Sequence, residues 1–277
     1  MGHVSLPVFL TMTTLRPLNA IDLALVRALQ DELGAGDDLT PTRWAALAAT
    51  QTLLATALDV AHGPANSNET FSLIRDNGDN LSLTGPRWWF HLLGLRHAAA
   101  HIILTTPQGW FVAQVRSQQK DDAPGALDVA VTGHCGTSAP LAAAWRELGE
   151  EVGLAQAAPY EAPSLVGDEL RLIAVQDVEI RWRAAENPPF IDRERHWIYA
   201  AALTAEGMAR LRFQDGEVSS LMLLGPADIA TLTRRINSGE RHAPGALDLA
   251  PGLAHTLPLW LASDSAPKDQ DASHCIA

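Results

Sequence analysis

The chain has 277 residues and a formal net charge of −12, unrelieved by any run of Lys or Arg, which argues against non-specific binding to nucleic acid or anionic membranes. An apolar content of 47% is enough for a sizeable core without disulfides. Of the two cysteines, Cys135 and Cys275, the second lies in a polar tail, so no structural disulfide is expected and a reducing cytoplasm fits.

The apolar start from Val4 to Met12 is broken by Pro7 and has no basic flank, so it reads neither as a signal peptide nor as a membrane span. Residues 1–68 read as a helical extension. One run goes from Asn19 through Leu33 and stops at Gly34-Ala35-Gly36; a second starts at Thr40-Pro41-Thr42 and runs to about His62. This extension covers the main domain, pairs with another copy of the chain as a homodimer, or shapes a pocket; the sequence does not choose. The stretch from Gly63 to Asn68 is a turn-rich linker.

From residue 69 the pattern changes. Phe71 to Ile74 reads as a strand, followed by a turn at Asp76–Asp79. His97 to Thr105 and Trp110 to Val115 read as a hairpin around Pro107-Gln108-Gly109. Asp128 to Val131 is a short strand leading into the loop Gly133-His134-Cys135-Gly136. Leu170 to Ile180 and Trp197 to Leu203 are further strands, and Pro226 to Ser238 is a closing helix. Strands interleaved with helices predict an α/β sandwich with a mixed sheet over residues 69–262, then a polar tail over 263–277.

The string Arg146-Glu147-Leu148-Gly149-Glu150-Glu151-Val152-Gly153-Leu154 carries the chemistry. At about 100° per residue, Glu147, Glu150 and Glu151 share one helix face and Leu141, Trp145, Leu148 and Val152 the opposite one. Like charges so close repel each other, and the face is either a solvated acidic surface or a site for a hard divalent cation. Mg²⁺ takes oxygen ligands, commonly a few carboxylates together with substrate phosphates.

The same string resembles the second half of the Nudix signature, Arg-Glu-aliphatic-x-Glu-Glu-x-Gly-aliphatic, and matches it at every specified position. The first half departs from the pattern. Ser138 stands where the signature has a Glu, and Thr132 where it has a Gly, with Gly133 one residue later. The stretch from His97 to His134 is similar to the Nudix branch that includes isopentenyl-diphosphate isomerase and hydrolase-like relatives. The pieces that carry this are Leu95-Arg96-His97-Ala98-Ala99, Gly109-Trp110-Phe111-Val112, Arg116 and Lys120 to Asp128. Phe190 to Glu194 with Ile198-Tyr199, and Gln214 to Val218, extend it to about residues 70–240.

The resemblance implies an α/β/α Nudix sandwich and a metal-dependent hydrolase that cleaves a diphosphate linkage in a nucleoside diphosphate derivative or a related organic pyrophosphate. Glu147, Glu150 and Glu151 would hold Mg²⁺ or Mn²⁺, with Glu217 or Glu194 as an added acid. Glu147 would alternatively accept the water proton, and Arg146 would orient Glu147. Arg116, His97 and His134 are candidates for the substrate. Isomerase members place metal on residues matching His97, His134, Asp192 and Glu194, but they need a Cys where this chain has Thr132. That absence favours the hydrolase over the isomerase, while Ser138 keeps open a feebly active or purely binding module. Trp88, Trp89 and Trp110 either stack on a nucleobase or pack the N-terminal segment on the sheet, and Cys135 reads as inert.

Overall fold

The computed structural model describes residues 24, 26–31, 47–49, 51, 69–74, 80–120, 122–156, 161–182, 190–213 and 216–266. The expected turn at 76–79, Gln214, Asp215, Cys275, most of residues 1–68 and the end of the tail lie outside them. Residues 24, 26–31, 47–49 and 51 are helical.

In chain order the elements are β1 (Thr70–Ile74), β2 (Asn80–Pro86), α1 (Arg87–Leu93), β3 (His97–Thr105), β4 (Phe111–Arg116), β5 (Leu127–Val129), β6 (Val131–His134), α2 (Pro140–Val152), β7 (Arg171–Trp182), β8 (Phe190–Ala202), α3 (Ala205–Arg210), β9 (Val218–Leu224), α4 (Pro226–Asn237) and α5 (Pro251–Ala262). A seven-stranded mixed sheet runs β5-β4-β3-β8-β7, with β6 also on β3 and β9 also on β4. β3 and β8 are parallel, and the other ladders are antiparallel. β5 and β6 are nearly one strand, interrupted at Ala130, that pairs first with β4 and then with β3. The single strand expected over 128–131 straddles that break.

Side chains alternate across a strand, and the two faces of β3 show what each layer packs against. Ala98, Ala100, Ile102 and Leu104 meet Ala143, Ala144, Leu148 and Val152 of α2. The short alanine side chains let helix and sheet approach closely. Ile103 on the other face joins Val129, Ile198, Leu253, Leu257 and Trp260 beneath α5. Helix, sheet and helix make the α/β/α sandwich. A third cluster joins Val26 and Leu47 of the extension to Phe71, Trp89, Phe90 and Leu92.

Three helices stand where the sequence reading placed none. α5 is apolar on most sides and carries Pro251 at its start and Pro258 inside, so it lacks the amphipathic stripe that marks a surface helix. α1 and α3, at 7 and 6 residues, are too short to show a period. The later strand also begins earlier than Trp197, at Phe190, so Asp192, Glu194 and His196 are strand residues.

Candidate functional site

The signature helix and the loop before it form one group of side chains. α2 begins with Pro140 and ends at Gly153, whose φ of 74° is left-handed, where a glycine carries no Cβ penalty. Glu147 and Glu151 are buried, and Glu150 stands at the solvent edge of the same face. Leu148 and Val152 are fully buried, Trp145 partly, and Leu141 is 46% exposed at the helix start.

Arg146 binds this group together. Its Nη2 lies 2.8 Å from Glu147 Oε1 and donates to the His134 carbonyl at 2.9 Å, while Nη1 donates to Glu150 Oε2 at 3.1 Å. Glu151 Oε2 accepts from the Thr132 backbone N–H and from Gln114 Nε2, both at 3.2 Å. Glu151 Oε1 is buried and has no hydrogen bond. A Cβ at Gly133 would fall 2.2 Å from Glu147 Cδ, so a larger residue there would push the carboxylate out of its present place. Burial pushes the Glu147 carboxyl up to about 7 against the opposing pull of Arg146, with Glu150 and Glu217 adding to the rise. Burial also raises Glu151 well above the usual carboxylate range, partly countered by Lys120. Glu217 pairs with Lys120 and acts electrostatically on both buried acids.

Arg116 is 7% exposed and paired with Asp128 at 3.1 Å and Asp122 at 2.7 Å. Asp128 in turn accepts the Val129 backbone N–H at 2.9 Å.

A second group converges on the opposite side of β6. His134 follows Gly133 in the strand and points the other way, and its Nε2 lies 3.1 Å from Glu194 Oε1. His97 Nε2 is 3.6 Å from the same oxygen and 3.4 Å from Asp192 Oδ1; His91 Nε2 of α1 is 3.5 Å from Asp192 Oδ1. One ligand atom from each of His91, His97, His134 and Asp192 lies within 4.8 Å of every other. His97 and His134, candidates for the substrate from sequence, gather with Asp192 and Glu194, the grouping that the isomerase members of the resemblance imply. Phe71 stacks on His97 with ring centroids 4.3 Å apart.

The electrostatics of this group are uneven. Burial, reinforced by Glu194, pushes Asp192 up to about 8. Burial also opposes charge on Glu194, but hydrogen bonds from His134 and His196 with His97 close by hold its carboxyl well below the usual range. Burial lowers His91 and His134, whereas for His97 the attraction of Glu194 and Asp192 outweighs burial and raises it.

Both groups suit a cation, by different chemistry. The acid group offers buried oxygens, one of them without a hydrogen bond, and a cradle kept open by glycine, which fits a hard ion such as Mg²⁺. The second offers imidazole nitrogens beside carboxylates, and His97 Nε2 and Asp192 Oδ1 are buried without hydrogen bonds, which fits a first-row transition metal. His91, His101 and His196 were not singled out from sequence. The signal was there: 97 and 101, and 192, 194 and 196, are same-face positions in a strand.

Among known proteins, no family model matches the chain. Over 92 residues, 32% of the chain, it is 34% identical to Nudix hydrolase 3 of Arabidopsis thaliana; the match is 12% of that protein, so the chain spans about an eighth of the length of its curated relative. A solved protein of Deinococcus radiodurans is 20% identical with a TM-score of 0.48, over 69% of this chain and 98% of the other. A MutT protein from Methanosarcina mazei Go1 is 11% identical with a TM-score of 0.41, over 60% and 94%. The NUDIX domain of Shewanella oneidensis NrtR, solved complexed with ADP ribose, is 13% identical with a TM-score of 0.39, over 60% and 86%. The resemblance of this chain to the Nudix superfamily therefore rests on a curated relative as well as on its own motif. Among the described residues, no helix is long and apolar enough to cross a membrane.

Proposed function

We propose that the chain is a divalent-metal-dependent hydrolase that cleaves the diphosphate linkage of a nucleoside diphosphate derivative or a related organic pyrophosphate. The observation that carries this reading is the buried Glu147–Glu151 pair, with Glu151 Oε1 unbonded and Arg146 clamping Glu147 to the loop. Glu147 and Glu151 would hold Mg²⁺ or Mn²⁺, with Glu150 at the rim and Glu217 entering from the Lys120 side. When bound, such an ion withdraws charge from phosphoryl oxygens and acidifies a bound water.

The chain's own part is positioning and proton transfer. As the alternative to holding the ion, Glu147, whose carboxyl burial raises to about 7 in the metal-free chain, is suited to take a proton from an attacking water. Arg146 fixes the direction of that carboxylate and ties it to the His134 carbonyl. Lys120 supplies positive charge beside Glu217 and Glu151. Arg116 remains in the proposal as a phosphate neighbour. It meets substrate only if Asp122, the more exposed of its partners, gives way. His91, His97, His134 and Asp192 would hold a second, nitrogen-liking metal, with Glu194 Oε1 3.1 Å from His134 Nε2 as a further oxygen.

The experiment is Mg²⁺-dependent release of phosphate-containing products from a panel of nucleoside diphosphate derivatives. Turnover that Glu151→Gln reduces at least a hundredfold (about 2.7 kcal/mol in the barrier) supports the proposal. Tight binding of panel members without turnover would instead make the chain a binding module. The histidine–acid group favours a second reading, an isopentenyl-diphosphate isomerase, and Thr132 opposes it, because a hydroxyl does not replace the thiol that chemistry uses. No dimethylallyl diphosphate should form above background. Its formation, lost in Glu151→Gln, would reverse the order of the two readings.

A further inference from the structure

Behind the histidine–acid group lies a second layer of buried imidazoles that the proposed reaction does not use. Asp192, Glu194 and His196 alternate along β8, and the parallel register sets Glu194 opposite His97 and His196 opposite Ala99. His196 Nε2 is 2.7 Å from Glu194 Oε2, the oxygen turned away from His97 and His134. His101 of β3 stacks on His196 with centroids 4.0 Å apart and planes 26° from parallel. Thr256 of α5 anchors His101, its hydroxyl 3.3 Å from His101 Nδ1. Glu194, His196, His101 and Thr256 are all buried.

His101, Glu194 and His196 bring their ligand atoms within 4.8 Å of one another, which raises the question of a third metal site. Two features oppose one. Ligands on one tetrahedral ion, each about 2.0–2.1 Å from it, stand about 3.4 Å apart, whereas the contact between His196 and Glu194 has the length of a hydrogen bond. An imidazole also binds metal in its own plane, and two rings stacked nearly parallel do not aim their lone pairs at a single point between them. His196 Nδ1 is buried without a hydrogen bond, so the ring meets Glu194 through Nε2, and an ionised carboxylate only accepts, which makes Nε2 the donor.

We propose that His196 is a positioning residue: its Nε2–H donates to Glu194 Oε2, turns Glu194 Oε1 towards His97 and His134, and so sets the affinity of that group for a transition metal. His101, pinned by Thr256, keeps the His196 ring in place. The inference rests on the reading of His97, His134, Asp192 and Glu194 as metal ligands. Partners of this kind typically change metal affinity by about ten- to hundredfold.

The test uses the full chain stripped of metal and titrated with Co²⁺, read by its visible spectrum and by competition with a chromogenic chelator. The parent should give a Co²⁺ spectrum that disappears in His97→Ala. His196→Leu, which keeps volume but not the donor, should bind Co²⁺ about ten- to hundredfold more weakly with a shifted spectrum. His196→Gln, whose amide offers a donor in the same region, should recover most of the affinity. A parent without a His97-dependent spectrum would sink the metal reading itself. A normal parent with Leu as tight as wild type, or with Leu and Gln equally weak, would sink the role of His196 alone. Loss of one bound Co²⁺ with the His97-dependent spectrum intact would make His196 a ligand and overturn the proposal. If neither variant folds, nitrogen NMR of histidines in the metal-free parent decides: an Nε2–H tautomer at His196 supports the role and an Nδ1–H tautomer excludes it.

Discussion

Glu151 condenses the energetics of the acidic site into one side chain. It accepts two hydrogen bonds on Oε2 and none on Oε1, and burial drives its carboxyl well above the ordinary value. A buried group that resists ionisation destabilises the fold when forced to carry charge at neutral pH. Glu151→Gln keeps an acceptor and removes the cost of taking up a proton, or of burying a charge, at that position. The metal-free variant should therefore melt no lower than the parent, and about 2–4 °C higher for each kcal/mol of relief. The rise in melting temperature that Mg²⁺ gives the parent should vanish. A metal-free variant that melts lower yet keeps the full Mg²⁺ shift would place the ion elsewhere.

At the scale of elements, α2 shows how a strong motif tolerates a weak start. No side chain caps its N-terminus and its first turn carries no acid. Ser138, just before the N-cap Ala139, is exposed, and its backbone N–H closes a turn onto the Cys135 carbonyl at 2.9 Å. The helix is held instead by packing and by Gly153 at its other end. Ser138→Glu puts a negative charge beside unpaired helix N–H groups, which is worth about 0.3–1 kcal/mol. Thermal melts should show that gain. Turnover on a confirmed substrate should also rise, by up to about tenfold if the new acid contributes about 1.4 kcal/mol to the transition state. A stabler protein with unchanged turnover would mean that this loop supports Glu147 through Arg146 and the His134 carbonyl alone.

At the scale of the molecule, two groups with raised carboxyls sit on one sheet, and their signs predict how stability follows pH. Glu147 moves from 4.5 to about 7 and Asp192 from 3.8 to about 8, both chiefly through burial. Between its unfolded and folded values each carboxyl holds its proton in the folded state and has released it in the unfolded state. Stability from both therefore falls as pH rises through that window. His97, raised above 6.5, adds stability that is also lost as pH rises through its folded value. His91, His101 and His134 are lowered and act in the opposite sense, but only below 6.5. Glu194, also lowered, acts below 4.5. Denaturant melts in chelator should thus show stability declining from about pH 6.5 to about pH 8, and saturating divalent metal should remove the decline. A flat or rising profile in chelator would contradict the burial of these acids.

The sequence by itself determined the signature helix, the β3–β4 hairpin, the mixed α/β class and the candidacy of Glu147, Glu151 and Arg146. Each is local: a 3.6-residue period, a two-residue alternation or a fixed string keeps its meaning without knowledge of the rest of the chain. Only the tertiary structure decided which candidates meet. His97, His134 and Glu194 come from three strands far apart in sequence, and the parallel pairing of β3 with β8 and the antiparallel pairing of β3 with β6 bring them together. Gly133 and His134 are adjacent in the chain, yet the pleat sends one towards Glu147 and the other towards Glu194. Strand register is a long-range property, fixed by which apolar face each strand buries, and no window of sequence contains it.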